Sequence, residues 1–180
     1  MILFDTETTG LVQPLSVPLD RQPRIIEFSA LKLDDKSLKE RDRINVLINP
    51  GVPISSEITR ITGIKQSDLD DKKSFGVHFR SLVDFFLGET ILVAHNLDFD
   101  GKLLQFDLQR IGREFTFPWP FRRICTVEAS YPIKNYRLNL GALYEIATGK
   151  KLQGAHRAIN DTLALAECVR YLTKKGFIKL

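Results

Sequence analysis

Cysteine is nearly absent from this sequence. Cys125 and Cys168 are the two cysteines among 180 residues, and they form no CxxC or other metal-ligand spacing. This excludes a small disulfide framework and a cysteine-ligated zinc domain. We therefore expect reduced thiols and a cytoplasmic location.

Long apolar runs are missing as well. None approaches the roughly 18 residues that a bilayer span needs. Asp5 and Glu7 follow directly behind the first four residues, without the basic and long apolar stretches of a secretory signal. We therefore expect neither a membrane partner nor a secretory signal. There is also no internal repeat or low-complexity tract, so the 180 residues, of which 43% are hydrophobic, predict one globular domain over residues 1–180.

Charge of one sign is only slightly in excess. The chain has 26 Lys plus Arg against 22 Asp plus Glu, which leaves a net charge of +4. This balance permits a polyanionic partner such as nucleic acid, but it does not require one.

Hydrophobic patterning predicts a mixed sheet covered by helices. Three strand-like segments come first and predict an antiparallel meander, and helices then alternate with one further strand. The long irregular loop over residues 11–23 holds three prolines, and loops of this kind are often functional. The predicted strands cover residues 1–4, 24–33, 43–48 and 90–94, and the predicted helices cover 57–62, 76–87, 98–111, 140–148 and 158–174.

The first chemical feature is FDTETTG, residues 4–10. Alternate residues of a strand project from the same face, so Asp5 and Glu7 point together from a strand end. Two carboxylates held that close raise each other's pKa unless a cation lies between them, and a hard metal such as Mg²⁺ or Mn²⁺ suits such a site. The alternative interpretation is a polar strand end with both acids in water.

The second feature is HNLDFD, residues 95–100, where a short buried strand leads into a helix. One interpretation is helix capping by Asn96 or Asp98, since acids are also favoured in the first turn of a helix. Capping does not require Phe99 and Asp100, so a functional site is the other interpretation.

The third feature is His156, five positions before Asp161, at the start of the last predicted helix. Five residues of continuous helix rotate two side chains about 140° apart. A shared site therefore requires His156 to lie on the preceding loop, which Gly154 permits. The alternative is a surface histidine followed by an acid on a helix surface.

All three features lie at strand ends or helix starts, where loops converge on a functional face. In order, FDTETTG, HNLDFD and HRAIND resemble the three exonuclease motifs of the DEDDh (DnaQ-like) family of 3′-to-5′ exonucleases, which includes the proofreading epsilon subunit of bacterial DNA polymerase III. PRIIEFSALKL, NPGVPISSEITRITGI and LNLGALYEIATG resemble the elements between the motifs, so the likeness covers essentially the whole chain. The resemblance implies an α/β RNase H-like fold, with a mixed five-stranded sheet flanked by helices.

The resemblance also implies a chemistry. It is that of a two-metal exonuclease, which hydrolyses phosphodiester bonds at nucleic-acid 3′ ends and releases nucleoside monophosphates. Asp5 would bridge two Mg²⁺ or Mn²⁺ ions, Glu7 and Asp161 would complete the tighter site, and Asp100 would act at close range, partly through water. His156 would be the general base, because neutral imidazole accepts a proton near neutral pH.

Substrate contacts are expected from the same motifs. Thr8 and Thr9 of the first motif are expected to place amides or hydroxyls at the terminal nucleotide. Phe99 resembles the family's aromatic wedge against the terminal base, although a core position is its other interpretation. The substrate-binding residues that we expect are Thr8, Thr9, Gly10, His95, Asn96 and Phe99.

A second candidate surface is GREFTFPWPFRR, residues 112–123. Arginines interleaved with aromatic residues suit stacking and phosphate contact with single strands. The alternative is a proline-stiffened loop whose aromatic residues anchor it in the core.

Two departures from the family pattern bear on function. Thr62 stands where relatives commonly carry histidine, and the loop over residues 11–23 is longer than usual. The end at Leu180 leaves no room for the polymerase-binding tail of the proofreading subunit, so we expect a free-standing enzyme or a tether elsewhere.

The expected partners are a single-stranded DNA or RNA 3′ end and a DNA polymerase. FDTETTG resembles the DNA-directed members more than the oligoribonucleases. The alternatives are an exoribonuclease of the same family and a catalytically silent nucleic-acid-binding module.

Overall fold

One five-stranded sheet organises the protein, whose computed structural model describes all of residues 1–180. The strand order is β3-β2-β1-β4-β5, with an antiparallel meander of the first three strands and parallel pairing of β4 with β1 and β5. The predicted mixed sheet and its meander are confirmed. The strands are β1 Ile2–Thr8, β2 Ile25–Leu33, β3 Glu40–Leu47, β4 Ile91–Ala94 and β5 Arg122–Cys125.

Helices cover both faces of the sheet. The five predicted helices are present, and each differs from its predicted bounds by at most one residue. None of the helices has an apolar stretch long enough to cross a bilayer. The helices are α1 Ser56–Thr62, α2 Gln66–Leu69, α3 Phe75–Phe86, α4 Leu97–Arg110, α5 Thr126–Lys134, α6 Leu140–Thr148 and α7 Ala158–Lys174.

The sequence did not predict β5, α2 or α5. β5 reads RRIC, so this edge strand has no alternating apolar pattern, and α5 contains Pro132, which ordinarily argues against a helix. The four-residue α2 is too short to show a helical period. Tertiary pairing therefore decides these elements, because β5 is held by its parallel register with β4.

Alternation along β1 divides the core into two layers. Ile2 and Phe4 belong to the cluster beneath α3 and α4, whereas Leu3 packs on the opposite face with Leu165 and Val169 of α7. Burying one such side chain fully contributes roughly 1.5–3 kcal/mol. The same alternation turns the next odd-numbered residues of β1 towards α7 and the next even-numbered residue towards α4.

The carboxyl end of β1 extends beyond its neighbour. β1 pairs with β4 only through Ile2 and Leu3, so the edge of β1 is unpaired from there onwards on this side. The chain leaves β4 at Ala94 and enters α4 beside this free edge. Residues after Phe4 therefore lie within reach of the first turn of α4.

Buried polar groups hold the long loop after β1. The Gln22 side chain is buried and donates to the carbonyls of Gln13, Pro14 and Val17 at 3.1–3.3 Å. Arg110 of α4 donates to further loop carbonyls, including that of Pro23 at 3.1 Å. The loop is thus fixed against the end of α4.

Candidate active site

Ten of the eleven site residues expected from the motifs line one cavity of about 480 Å³ at the carboxyl end of β1. β1 and the loop after it supply one wall, the starts of α4 and α7 supply a second, and α1 supplies a third. Asn96 is the expected residue that does not line it. The ten are Asp5, Glu7, Thr8, Thr9, Gly10, His95, Phe99, Asp100, His156 and Asp161.

Asp100 of α4 is fixed against the free edge of β1. Its Oδ1 accepts hydrogen bonds from the Thr6 backbone N–H at 3.1 Å and from the Thr6 hydroxyl at 2.7 Å. Because β4 does not pair with β1 at Thr6, the Thr6 N–H has no strand partner on this side and donates to the Asp100 carboxylate instead. Thr6 therefore orients Asp100, a contact that no sequence motif predicted.

Mutual repulsion and burial affect all four acids. Burial raises the pKa of Asp5 well above its usual range, and the charges of Asp100, Asp161 and Glu7 raise it further. Burial, with the nearby Asp161, raises the pKa of Glu7 to about 8. Burial also raises the pKa of Asp100 to about 7 against the opposing Thr6 hydrogen bonds, and it raises that of Asp161. Such a cluster is electrostatically unfavourable when it is fully ionised without cations.

His156 lies on the loop before α7, as its separation from Asp161 requires for a shared site. Its backbone adopts φ 64°, its side chain is exposed, and its N–H donates to Asp161 Oδ2 at 2.9 Å. Ligand atoms of Glu7, His156 and Asp161 all lie within 4.8 Å of one another. The imidazole is thus beside the acids yet reachable from solvent.

The donor set fits divalent cations. The other Asp161 oxygen, Oδ1, is buried without any hydrogen-bond partner. A buried carboxylate oxygen of this kind is costly unless something binds it. With Asp5, Glu7 and Asp100 around it, the site offers only hard oxygen ligands besides imidazole, the preference of Mg²⁺ and Mn²⁺.

Some residues expected to bind substrate have their polar atoms engaged within the protein. His95 Nε2 lies 3.1 Å from the Leu138 carbonyl and Nδ1 lies 2.9 Å from the Thr126 hydroxyl, and burial lowers the pKa of His95 to about 4. The ring is therefore neutral, with Nε2–H donating and Nδ1 accepting. Asn96 has φ 72° and makes no side-chain capping bond, so capping by its side chain does not explain the second motif.

The threonine hydroxyls of the first motif also have partners in the protein. The Thr8 hydroxyl donates to the Gly10 carbonyl at 2.6 Å, and the Thr9 hydroxyl accepts from the Arg24 N–H at 3.0 Å. Thr62 of α1 lines the cavity, but its hydroxyl donates to the Ile58 carbonyl at 2.9 Å, within its own helix. A substrate would therefore meet mainly backbone groups and hydrocarbon at these positions.

The sequence did not predict the ion pair behind the site, whose arginine is partly exposed. Glu27 of β2 is fully buried opposite Glu7, and it accepts from Arg157 at 3.0 and 3.1 Å and from the Ala158 N–H at 3.1 Å. This pair fixes the start of α7, and with it the residues on either side, His156 and Asp161. A lone acid within the apolar run RIIEFSALKL was the available signal.

We expect Glu27→Gln to lower the free energy of unfolding by about 1.5 kcal/mol, because it leaves Arg157 without its carboxylate and the Ala158 N–H with a weaker acceptor, while solvent screens the exposed side of Arg157. Urea unfolding measures this effect. The matched control is Glu128→Gln, whose exposed pair with Arg137 at 2.6 Å should contribute under about 1 kcal/mol. Equal losses of unfolding free energy in both variants would show that the Glu27–Arg157 pair has no special role.

Comparisons with known proteins agree with this geometry. The profile of the exonuclease family RNase_T matches residues 2–169. DNA polymerase III PolC-type of Bacillus subtilis is 35% identical in an alignment of 170 positions that covers 92% of this chain and 11% of the relative. That of Clostridium perfringens is 30% identical in an alignment of 175 positions that covers 97% of this chain and 11% of the relative. The chain thus spans about a tenth of the length of these relatives.

Solved structures share the fold. The chain of a structure of exonuclease X in complex with 5′ overhanging duplex DNA superimposes with a TM-score of 0.69 and 20% identity, covering 99% of this chain and 93% of that chain. A 3′-exonuclease from a structure of 3′-end specific recognition of histone mRNA stem-loop has a TM-score of 0.76 and 18% identity, covering 97% and 81%. These likenesses confirm the predicted RNase H-like fold. With the family profile matching nearly the whole length, this chain belongs to the RNase_T exonuclease family, and its three motifs predicted an exonuclease.

Proposed function

We propose that this chain removes nucleotides one at a time from DNA 3′ ends with the help of two Mg²⁺ or Mn²⁺ ions. The observation that carries the proposal is the convergence of Asp5, Glu7, Asp100 and Asp161 on one cavity, although they come from three distant parts of the chain. A binding module does not need a cluster of acids whose ionisation is so unfavourable. Nucleic acid is itself an anion, so this cluster would repel it unless cations were bound.

The four carboxylates would hold the ions. Ions bound there would lower the pKa of the attacking water and offset negative charge on the departing oxygen. The protein's part is to fix the carboxylates: Thr6 orients Asp100, and Glu27 with Arg157 fixes the start of α7. We assign to His156 the uptake of the proton from the attacking water, since its side chain combines exposure with closeness to Glu7 and Asp161.

The rest of the cavity would hold the terminal nucleotide. Backbone groups of residues 8–10 face the sugar and phosphate, and the half-buried Phe99 offers its ring to the terminal base. His95 shapes this wall through its ring face, because both of its nitrogens have protein partners.

DNA is the proposed substrate and a DNA polymerase the proposed partner. The relatives that cover nearly all of this chain are named DNA polymerases, of which the matching part is about 11%. Beside such a polymerase, this chain would remove nucleotides that the polymerase has misincorporated. RNA is the alternative substrate, since a structural neighbour is named for recognition of an mRNA stem-loop.

End-labelled oligonucleotides test the proposal. Single-stranded DNA and RNA of one sequence, each labelled at the 5′ end, are incubated with Mg²⁺ or Mn²⁺. We expect a ladder of DNA products that shorten one nucleotide at a time while the label is kept, and no products in excess EDTA. Release of the labelled 5′ nucleotide first, or full activity in EDTA, would contradict it. A ladder from RNA alone would overturn the assignment to DNA and leave the proposed 3′-end hydrolysis in place.

The pH dependence of stability gives a readout that does not depend on activity. Burial raises the pKa of Glu7 to about 8 and of Asp100 to about 7, above the value of about 4 for an unfolded chain. The folded state therefore holds more protons, and the stability from these groups is lost as pH rises from about 4 through about 8. In EDTA we expect Tm to fall by roughly 5 °C between about pH 5.5 and about pH 8.

Divalent ions should reverse that loss. Mn²⁺ should raise Tm more at about pH 8 than at about pH 5.5, because ions replace protons on the ionised acids. Glu7→Gln should flatten the dependence in EDTA. Differential scanning fluorimetry measures Tm with and without Mn²⁺ for both proteins. A metal-free Tm that is flat or rises from about pH 5.5 to about pH 8 would contradict the raised pKa values of the clustered acids.

A further inference from the structure

A second cavity of about 500 Å³ adjoins the first turns of α4. Leu97 and Lys102 of α4 form one side of this cavity. The other side is formed by Trp119, just before β5, and by Arg123 within β5. Leu97 is two residues from Phe99, which lines the active-site cavity. The two cavities therefore flank the same turn of α4.

Trp119 is held rigidly at this second cavity. Its ring packs edge-on against Phe117, with centroids 4.9 Å apart, and Phe117 is buried against Phe86 at 4.8 Å. The aromatic residues of this segment thus differ in role: Phe117 anchors it in the core, whereas Phe115 and Phe121 are 94% and 83% exposed. Trp119 is anchored on one side and lines the cavity on the other.

Arg123 gives this cavity a positive charge that no acid offsets. Its guanidinium lies 5.4 Å from the centroid of the Trp119 ring, and it takes part in none of the ion pairs of the chain. The carboxylate of Asp98 in the same wall is already paired with Lys102 at 2.6 Å. An exposed, unpaired guanidinium stacked on a fixed indole suits a base and the adjoining phosphate.

We propose that this cavity binds an upstream nucleotide of the same unpaired DNA strand whose 3′ end lies in the active-site cavity. One base stacks against the Trp119 and Arg123 pair, and its phosphate meets the guanidinium. This subsite rests on the proposed exonuclease function for its occupant. It would favour single-stranded ends, because a base can stack there only when it is unpaired.

Trp119 is the single tryptophan of the chain, so its fluorescence reports this cavity directly. The Asp5→Asn variant with Mg²⁺, in which hydrolysis is slow while ions offset the remaining acids, is titrated with a dinucleotide and with an oligothymidylate of about ten nucleotides. We expect the longer strand to quench the fluorescence and the dinucleotide to leave it unchanged. Binding of the longer strand, seen by polarisation of a 5′ dye, without any change in Trp119 emission would overturn the proposal.

Arg123→Gln gives the matched test, because this side chain is exposed and its loss should not disturb folding. We expect Kd for the longer strand to rise about 5- to 10-fold and the slope of log K against log salt to fall by about 0.7. Arg43→Gln removes the same charge from β3, the opposite edge of the sheet, and should change neither quantity. If both variants changed Kd and the salt slope equally, Arg123 would contribute only through the overall charge of the protein, and the subsite would be overturned.

Turnover separates this subsite from the proposed function. With Mg²⁺, Arg123→Gln should raise KM for long strands and leave kcat near the wild-type value. Quenching that depends on Arg123 in a protein that shortens no DNA would contradict the proposed function and retain the subsite. DNA shortening without quenching would support the proposed function and overturn the subsite. Quenching by oligouridylate but not by oligothymidylate would overturn the assignment to DNA.

Discussion

Asp5→Asn should reduce DNA shortening by at least about 10³-fold while the fold is kept. Asp5 is partly buried and lies among the other acids, and its charge is available only if cations offset the repulsion. The amide keeps the shape of the side chain but removes the charge that we assign to metal binding. The same substitution should raise Tm in EDTA, because it removes one member of the repelling cluster.

Rates from the 5′-labelled ladder assay and Tm in EDTA measure this prediction. Asp84→Asn is the control, since Asp84 lies on the surface of α3, paired with Arg80 at 3.0 Å, and its loss should leave both quantities near wild type. An Asp5→Asn enzyme within about tenfold of the wild-type rate would remove Asp5 from the chemistry. A large fall in Tm would instead mean that the lost activity reflects unfolding.

His156→Ala should lower kcat by roughly 10²- to 10⁴-fold, the range typical of losing a general base. The side chain is exposed and its backbone N–H, which substitution leaves in place, makes the bond to Asp161. The variant should therefore keep its Tm and its affinity for Mn²⁺. Single-turnover rates together with a Mn²⁺ titration separate these quantities.

The outcome distinguishes a base from a ligand. His156 lies close enough to Glu7 and Asp161 to bind an ion with them. If Mn²⁺ affinity falls in parallel with the rate, His156 is a ligand and the role of base is wrong. His78→Ala, on α3 and outside the cavity, should leave the rate unchanged.

The sequence predicted the convergence of the acids because their surroundings carry local signals. A strand, a helix start and a loop with Gly154 each have recognisable patterns, and three ordered motifs add a specificity that none has alone. Ten of the eleven expected residues consequently line one cavity. The roles assigned to them remain predictions, which the variants above test.

Contacts between distant residues could not be predicted. Glu27 meets Arg157 across 130 positions, and Thr6 meets Asp100 across 94. Both contacts follow from the strand register and from where α4 and α7 begin, which no local pattern encodes. His95 is similar: its partners Thr126 and Leu138 belong to α5 and the segment after it, a part of the fold that the sequence did not predict.

Binding of Mn²⁺ to the metal-free protein tests the central claim most directly. Calorimetric titration at about pH 7.5 should find two ions per wild-type chain, and Asp5→Asn should lose at least one of them. No binding by the wild type at millimolar Mn²⁺, or an unchanged stoichiometry and affinity in Asp5→Asn, would contradict the assignment of these carboxylates as the metal site.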